Sequence, residues 1–223
     1  MQTASSTLKT LYDLNGAVGG PIKQDKLWFY VTSRYFTNEY YIASRYYATD
    51  VTRTYPVNGK FSPEQKAIYD IVLAAQKAAM AEVKPGLPHD EIEKKCAQIQ
   101  AEGLVKLGLL KGDPAELVKT FGHRKLTLHG VSHWVGLDVH DPSGYNEPDG
   151  KSSRVLKEGM VFTIEPGIYI PAKTEGVDPK WWNIGVRIED TVLVTKDGFD
   201  CLSCGAPREV ADVEGAVKAG RKR

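Results

Sequence analysis

The sequence predicts an α+β domain, and three observations carry that expectation. Two amphipathic helical stretches lie between residues 62 and 106, apolar β-rich runs follow at 126–139, 161–170 and 184–195, and an aromatic strand-like segment precedes them all. The 223 residues suit one domain of ordinary size, or one with an appendage, and 42% hydrophobic against 26% charged residues is a globular composition. Lys+Arg 29 against Asp+Glu 28 leaves a net charge of +1, which lacks the basic footprint of a nucleic-acid-binding protein. No apolar run reaches the roughly 18 residues that cross a bilayer as a helix. The first residues lack the basic-then-apolar pattern of a signal peptide. Three cysteines do not make a disulfide framework. The expectation is a cytoplasmic protein in reducing surroundings, with no nucleic-acid or membrane partner.

The early segment is set apart by its aromatic residues: Tyr12, Tyr30, Tyr35, Tyr40, Tyr41, Tyr46, Tyr47 and Tyr55 crowd the first quarter of the chain. Lys26-Leu27-Trp28-Phe29-Tyr30-Val31-Thr32 has a strand composition, and Gly16, Gly19, Gly20 and Pro21 supply turns, so residues 10–45 read as two or three strands. One reading is an edge meander packed on a larger core. The string Tyr12-Asp13-Leu14-Asn15-Gly16-Ala17-Val18-Gly19-Gly20-Pro21-Ile22-Lys23, with Lys26-Leu27-Trp28-Phe29-Tyr30, also resembles the early barrel strands of TonB-dependent outer-membrane receptors. That resemblance implies that residues 1–47 are foreign to residues 48–223. Open sheet edges are not tolerated in lipid, so an isolated piece of barrel would have no membrane role.

The helices follow from local rules. Ser62 is an N-cap, Pro63 stands at the first helical position and Glu64 falls in the first turn; Ile68, Ile71, Val72, Ala75 and Ala79 then form an apolar stripe that Lys84-Pro85-Gly86 ends. A second helix is expected over about 90–106, with Ile92, Cys96, Ile99 and Leu104 buried, and a short third one begins at Asp113-Pro114.

Four stretches carry the chemistry: Asp50 in Asp50-Val51-Thr52-Arg53-Thr54; the histidines of Leu128-His129-Gly130-Val131-Ser132-His133-Trp134-Val135-Gly136-Leu137-Asp138-Val139-His140-Asp141; Glu165 in Thr163-Ile164-Glu165-Pro166-Gly167; and Gly185-Val186-Arg187-Ile188-Glu189-Asp190. Each alone has an ordinary explanation, such as a turn aspartate, or cross-strand ion pairing by Arg187 and Glu189, which alternate along a strand and face the same side. The histidine pair four apart, His129 and His133, does not form the helical zinc pattern, because Gly130 stands where a glutamate would be needed. Together, one imidazole and several carboxylates interrupting apolar strands are costly to bury unless a cation joins them. Mostly oxygen donors with one imidazole suit Mn²⁺, Fe²⁺, Co²⁺ or Zn²⁺ with open positions, the setting for hydrolysis.

These four strings, in this order and spacing, resemble the catalytic domain of the Xaa-Pro aminopeptidases, in the creatinase and methionine aminopeptidase superfamily. The resemblance covers about residues 48–223. It implies a pita-bread metallopeptidase fold whose N-terminal half is incomplete, and a divalent metal, Mn²⁺ first. It implies a short peptide substrate with proline in second place, and a homo-oligomer. By the same resemblance Asp50, His133, Glu165 and Glu189 are metal ligands, Asp50 and Glu189 bridging two ions. His129 and His140 contact substrate, Arg187 supports the carboxylates, and Glu165 doubles as the base. The alternatives are a prolidase-type Xaa-Pro dipeptidase and a pita-bread binding module that has lost catalysis.

Two departures bear on that expectation. Where the family carries a further aspartate eleven residues before Asp50, this chain has Glu39, so one metal site keeps four donors and its neighbour lacks one. The family pattern does not require Cys201-Leu202-Ser203-Cys204, and the pair reads as incidental.

Overall fold

The computed structural model describes residues 49–220 in full and, ahead of them, the backbone of residues 8–23 and 27–40. Those two stretches are β1 (Leu8–Lys23) and β2 (Leu27–Tyr40), an antiparallel pair running from Leu8↔Tyr40 to Lys23↔Leu27. They supply the strands expected over 10–45. Glu39 stands opposite Thr10 in this ribbon, and its side chain lies outside the described residues.

Helix α1 (Pro63–Glu82) starts where its capping signals place it: the Ser62 hydroxyl accepts from Gln65 N–H, and the Gln65 side chain accepts from Ser62 N–H in return. Helix α2 (Asp90–Lys106) packs beside it, and α3 (Pro114–Lys119) is capped by Asp113. A last helix, α4 (Val210–Gly220), was not expected; it buries only Val213, so its sequence carries little apolar stripe.

The stripe on α1 serves two cores in succession. Its first half, Ile68, Tyr69, Val72 and Leu73, packs with Leu104, Ile168, Ile170, Ile184, Val186 and Ile188. Its second half, Ala75, Ala79 and Met80, packs with Ile92, Cys96, Phe162, Ile164, Val192 and Val194. Full burial of each large side chain contributes about 1.5–3 kcal/mol. The first core is roofed by β4 (Gly167–Ile170) and β5 (Ile184–Arg187), paired antiparallel. The second lies under β3 (Val161–Ile164), β6 (Asp190–Val194) and β7 (Phe199–Cys201), in the order β3-β6-β7.

Three expectations are corrected here. The runs 161–170 and 184–195 are each split into two strands belonging to different sheets, with breaks at Glu165-Pro166 and Ile188-Glu189. Pro166 has no N–H for a ladder, and a change of sheet is invisible to apolar patterning. The strand expected over 126–139 shrinks to residues 131–135, which run along β3 through Glu165 N–H to Val131 O (2.7 Å), Thr163 N–H to His133 O (2.9 Å) and Val135 N–H to Val161 O (3.0 Å). Beyond that stretch Leu128, Leu137 and Val139 turn outward and are exposed. Finally, Cys201 and Cys204 are not incidental: they form a disulfide that closes the loop after β7. Spacing of two residues permits such a ring, but only the turn after β7 brings the sulfurs together.

His89, the residue ahead of α2, is 7% exposed. Its ring lies 4.6 Å from Trp134 and 5.4 Å from both Tyr145 and Phe162, and its Nε2 is 2.9 Å from Ser132 Oγ. Burial pushes its pKa down to about 4. The unfolded chain therefore takes up this proton first. Stability is undiminished above about pH 6.5 and falls by up to about 3 kcal/mol as the pH drops towards 4. Chemical denaturation across that window should show wild type losing stability more steeply than His89→Leu, by a slope of about one proton; equal slopes would contradict this assignment.

Candidate metal centre

The breaks between strands deliver the carboxylates. Glu165 follows the last residue of β3, and Glu189 sits between β5 and β6, where its N–H donates to Thr52 O at 3.0 Å. That contact brings residues 50–54 alongside. Asp50 is then fixed by one hydroxyl, since Asp50 N–H donates to Thr191 Oγ1 (2.9 Å), which donates in turn to Asp50 O (2.8 Å). His133 arrives on residues 131–135. Its Nδ1 is 3.0 Å from Trp134 O, an acceptor only, so Nδ1 carries the proton and Nε2 faces the carboxylates.

His133 Nε2 lies 3.5 Å from Asp50 Oδ2, 3.6 Å from Glu165 Oε1 and 3.6 Å from Glu189 Oε1. It is buried and has no hydrogen-bond partner among the described residues, because these separations are too long for one. A shared cation about 2.1 Å from each donor would set neighbouring ligands about 3.0–3.4 Å apart. His133, Glu165 and Glu189 form one cluster with donor atoms within 4.8 Å of one another, and Asp50, His133 and His140 form a second that shares the same imidazole. The electrostatics agree. Burial alone would lower the pKa of His133, but the facing carboxylates of Asp50 and Glu189 overcome it and hold it up at about 10. His133 in turn lowers Asp50. Burial, with the neighbouring Glu189, pushes Glu165 up to about 7. A divalent cation among these carboxylates would take the place of the proton that they hold on His133 Nε2. The cluster of His133, Glu165 and Glu189 fits such an ion in donor chemistry, with Asp50 adjoining it through His133.

The other expected residues stand at the rim. His140 is exposed, its ring 4.4 Å from that of His133 and its Nε2 3.9 Å from Asp50 Oδ2. Arg187 approaches Glu165 Oε2 at 4.0 Å, and its Nε has no hydrogen-bond partner among the described residues. His129 Nε2 is 2.7 Å from the Tyr169 hydroxyl. Tyr169 was missed in the sequence, though Glu165-Pro166-Gly167 holds its trace. A Cβ on Gly167 would lie 2.5 Å from the Tyr169 hydroxyl, so glycine makes room for this side chain.

Also missed was the support beneath the carboxylates. Asp190 is fully buried, and receives hydrogen bonds from Arg53 Nη2 (2.7 Å), Ser203 Oγ (2.6 Å), Gln76 Nε2 (3.1 Å) and Arg208 Nη1 (3.2 Å). Gln76 Nε2 also lies 3.2 Å from the carbonyl oxygens of Ile164 and Ile188, the residues just before Glu165 and Glu189. A glutamine within an otherwise apolar helical stripe was the available signal.

Comparison with known proteins places this architecture. Residues 35–196 match the model of metallopeptidase family M24, and the chain belongs to that family. The match begins inside the segment expected to be foreign to the rest. The chain is 43% identical over 177 residues to the Xaa-Pro aminopeptidase of Escherichia coli (strain K12), covering 79% of this chain and 39% of that one. Among solved structures it resembles Pseudomonas aeruginosa aminopeptidase PepP, with a TM-score of 0.76 and 45% identity over 79% of this chain and 40% of that one. It also resembles E. coli aminopeptidase P with the inhibitor Pro-Leu, with a TM-score of 0.72 and 42% identity over 78% and 39%. The pita-bread fold is thereby established, and the chain spans about two fifths of the length of these relatives. Among the described residues no helix is long and apolar enough to cross a membrane.

Asp190→Asn keeps the shape of the support and removes its charge, leaving Arg53 and Arg208 facing a neutral amide. Breaking a buried pair in this way costs about 3 kcal/mol. Denaturant unfolding of the variant should show a loss of that order, and an unchanged midpoint would contradict the charge-based account.

Proposed function

We propose that this chain is a metal-dependent aminopeptidase that releases an N-terminal residue preceding proline. The observation that carries the reading is the convergence of Asp50, Glu165 and Glu189 on the unpartnered Nε2 of His133. Those four residues would hold one divalent cation, Mn²⁺ first, with Fe²⁺, Co²⁺ or Zn²⁺ as substitutes. When bound, the cation supplies Lewis acidity to the scissile carbonyl and lowers the pKa of water.

The remaining steps belong to the protein. Glu165, half-buried beside Arg187, is placed to take the proton of the attacking water. Arg187 lies beside Glu165 Oε2 and steadies its charge. His140 on one side and His129, oriented by Tyr169, on the other are placed to donate to the developing oxyanion and the leaving amine. The substrate assignment draws support from the relatives, one of which is named for Xaa-Pro cleavage and another of which was solved with Pro-Leu. The neighbouring metal site lacks its aspartate, so activity should fall below that of a two-metal enzyme.

Hydrolysis of Xaa-Pro-Xaa tripeptides and Xaa-Pro dipeptides, with added Mn²⁺ and with chelator, tests the reading. Slow, chelator-sensitive release of the first residue from the tripeptide, exceeding dipeptide cleavage, is expected. Equal or faster dipeptide turnover would favour a prolidase, and Mn²⁺ binding without any turnover would favour the binding module.

A further inference from the structure

We propose that the Cys201–Cys204 disulfide is a thiol-reducible site that sets how tightly the metal centre holds its cation. The inference rests on the metal-site reading above and adds to it a control element.

The disulfide closes a ring around Leu202 and Ser203 directly behind the carboxylates. Ser203 Oγ donates to Asp190 at 2.6 Å and accepts from Thr191 N–H at 3.0 Å, while Leu202 N–H donates to Thr191 O at 2.9 Å. Thr191 is the residue whose hydroxyl fixes both the N–H and the C=O of Asp50. A second route leaves the same loop three residues on. Ala206 O and Pro207 O accept from Arg53 at 3.1 and 2.9 Å, and Arg53 Nη1 donates to Glu189 O at 2.6 Å. The ring is therefore tied to Asp50 through Thr191 and to Glu189 through Arg53 and Asp190.

Cys201 and Cys204 pack against the second core without being sealed inside it. Both cysteines are only half-buried, and Leu202 between them is 44% exposed. One thiolate of a small dithiol attacks a sulfur of the pair, the Cys201–Cys204 bond breaks and a mixed disulfide forms. The second thiol of the reductant then displaces it. Two electrons and two protons pass to the cysteines, and the reductant leaves as its own disulfide. Without the ring, Ser203 loses its covalent restraint, and Thr191, Asp50 and Glu189 lose one layer of support.

A second metal site is the rival use for reduced Cys201 and Cys204, whose sulfurs cluster with an Asp190 carboxylate oxygen within 4.8 Å. Asp190 is already engaged by Arg53 at 2.7 Å and Arg208 at 3.2 Å, and two guanidinium groups repel a cation there. The pair is better suited to redox exchange than to ligation.

The test compares the full chain in its oxidised form with the same protein reduced by dithiothreitol and desalted anaerobically. Mn²⁺ is the probe, since thiolates compete poorly for it. Loss of support behind metal ligands typically weakens affinity by about ten-fold or more. The reduced protein should bind Mn²⁺ at least about ten-fold more weakly. In the metal-free protein, amide hydrogen exchange at Thr191 and Leu202 should accelerate on reduction. Cys201→Ser/Cys204→Ser should match the reduced form and no longer respond to dithiothreitol. Equal Mn²⁺ affinity in both redox states would overturn this inference and leave the metallopeptidase reading standing. No Mn²⁺ binding in either state would overturn both.

Discussion

A single buried carboxylate organises this molecule. Asp190 is wholly removed from water, and a charge so placed must be answered by partners from wherever the chain can supply them. Arg53 comes from the segment before α1, Gln76 from α1, Ser203 from the loop after β7, and Arg208 from the approach to α4. Satisfying one charge thus fixes four separate pieces of chain around the first residue of β6. Glu189 is the residue next to it. The geometry of the candidate metal centre is inherited from that arrangement.

The same logic explains why the carboxylates sit at strand breaks and not within strands. A residue in a regular ladder points either into a core or outward. At Glu165 and Glu189 the chain leaves one sheet for the other, and neither side chain is committed to a sheet face. The cost of a break is interrupted backbone pairing, and the carbonyl groups of Ile164 and Ile188 stand at the two breaks. The Gln76 amide reaches both, so α1 completes the hydrogen bonding of two sheets at the point where they part. Packing and ligand placement are here one solution, achieved while the Gln76 Oε1 atom stays without a partner among the described residues.

Much of this was legible in the sequence where the determinants are local. Ser62-Pro63-Glu64 placed the start of α1, Asp113-Pro114 placed α3, and the four acidic and imidazole strings located His133 and the three carboxylates around it. What escaped notice depended on partners far away in the chain. Apolar runs at 161–170 and 184–195 look continuous because both halves of each are buried, though in different sheets. Arg53 and Asp190 were quoted within their strings, yet nothing local marks them as partners 137 residues apart. The disulfide needed the turn after β7, and α4 buries too little apolar surface to declare itself.

The central claim is that the partnerless Nε2 of His133, with Asp50, Glu165 and Glu189 around it, belongs to a divalent-cation site. The most direct measurement is the amount of Mn²⁺ retained per chain after dialysis, read by elemental analysis on oxidised wild type and on His133→Ala. The account predicts one ion per chain in wild type and none above background in the variant. A variant that keeps the ion, or a wild type that holds none, would contradict it.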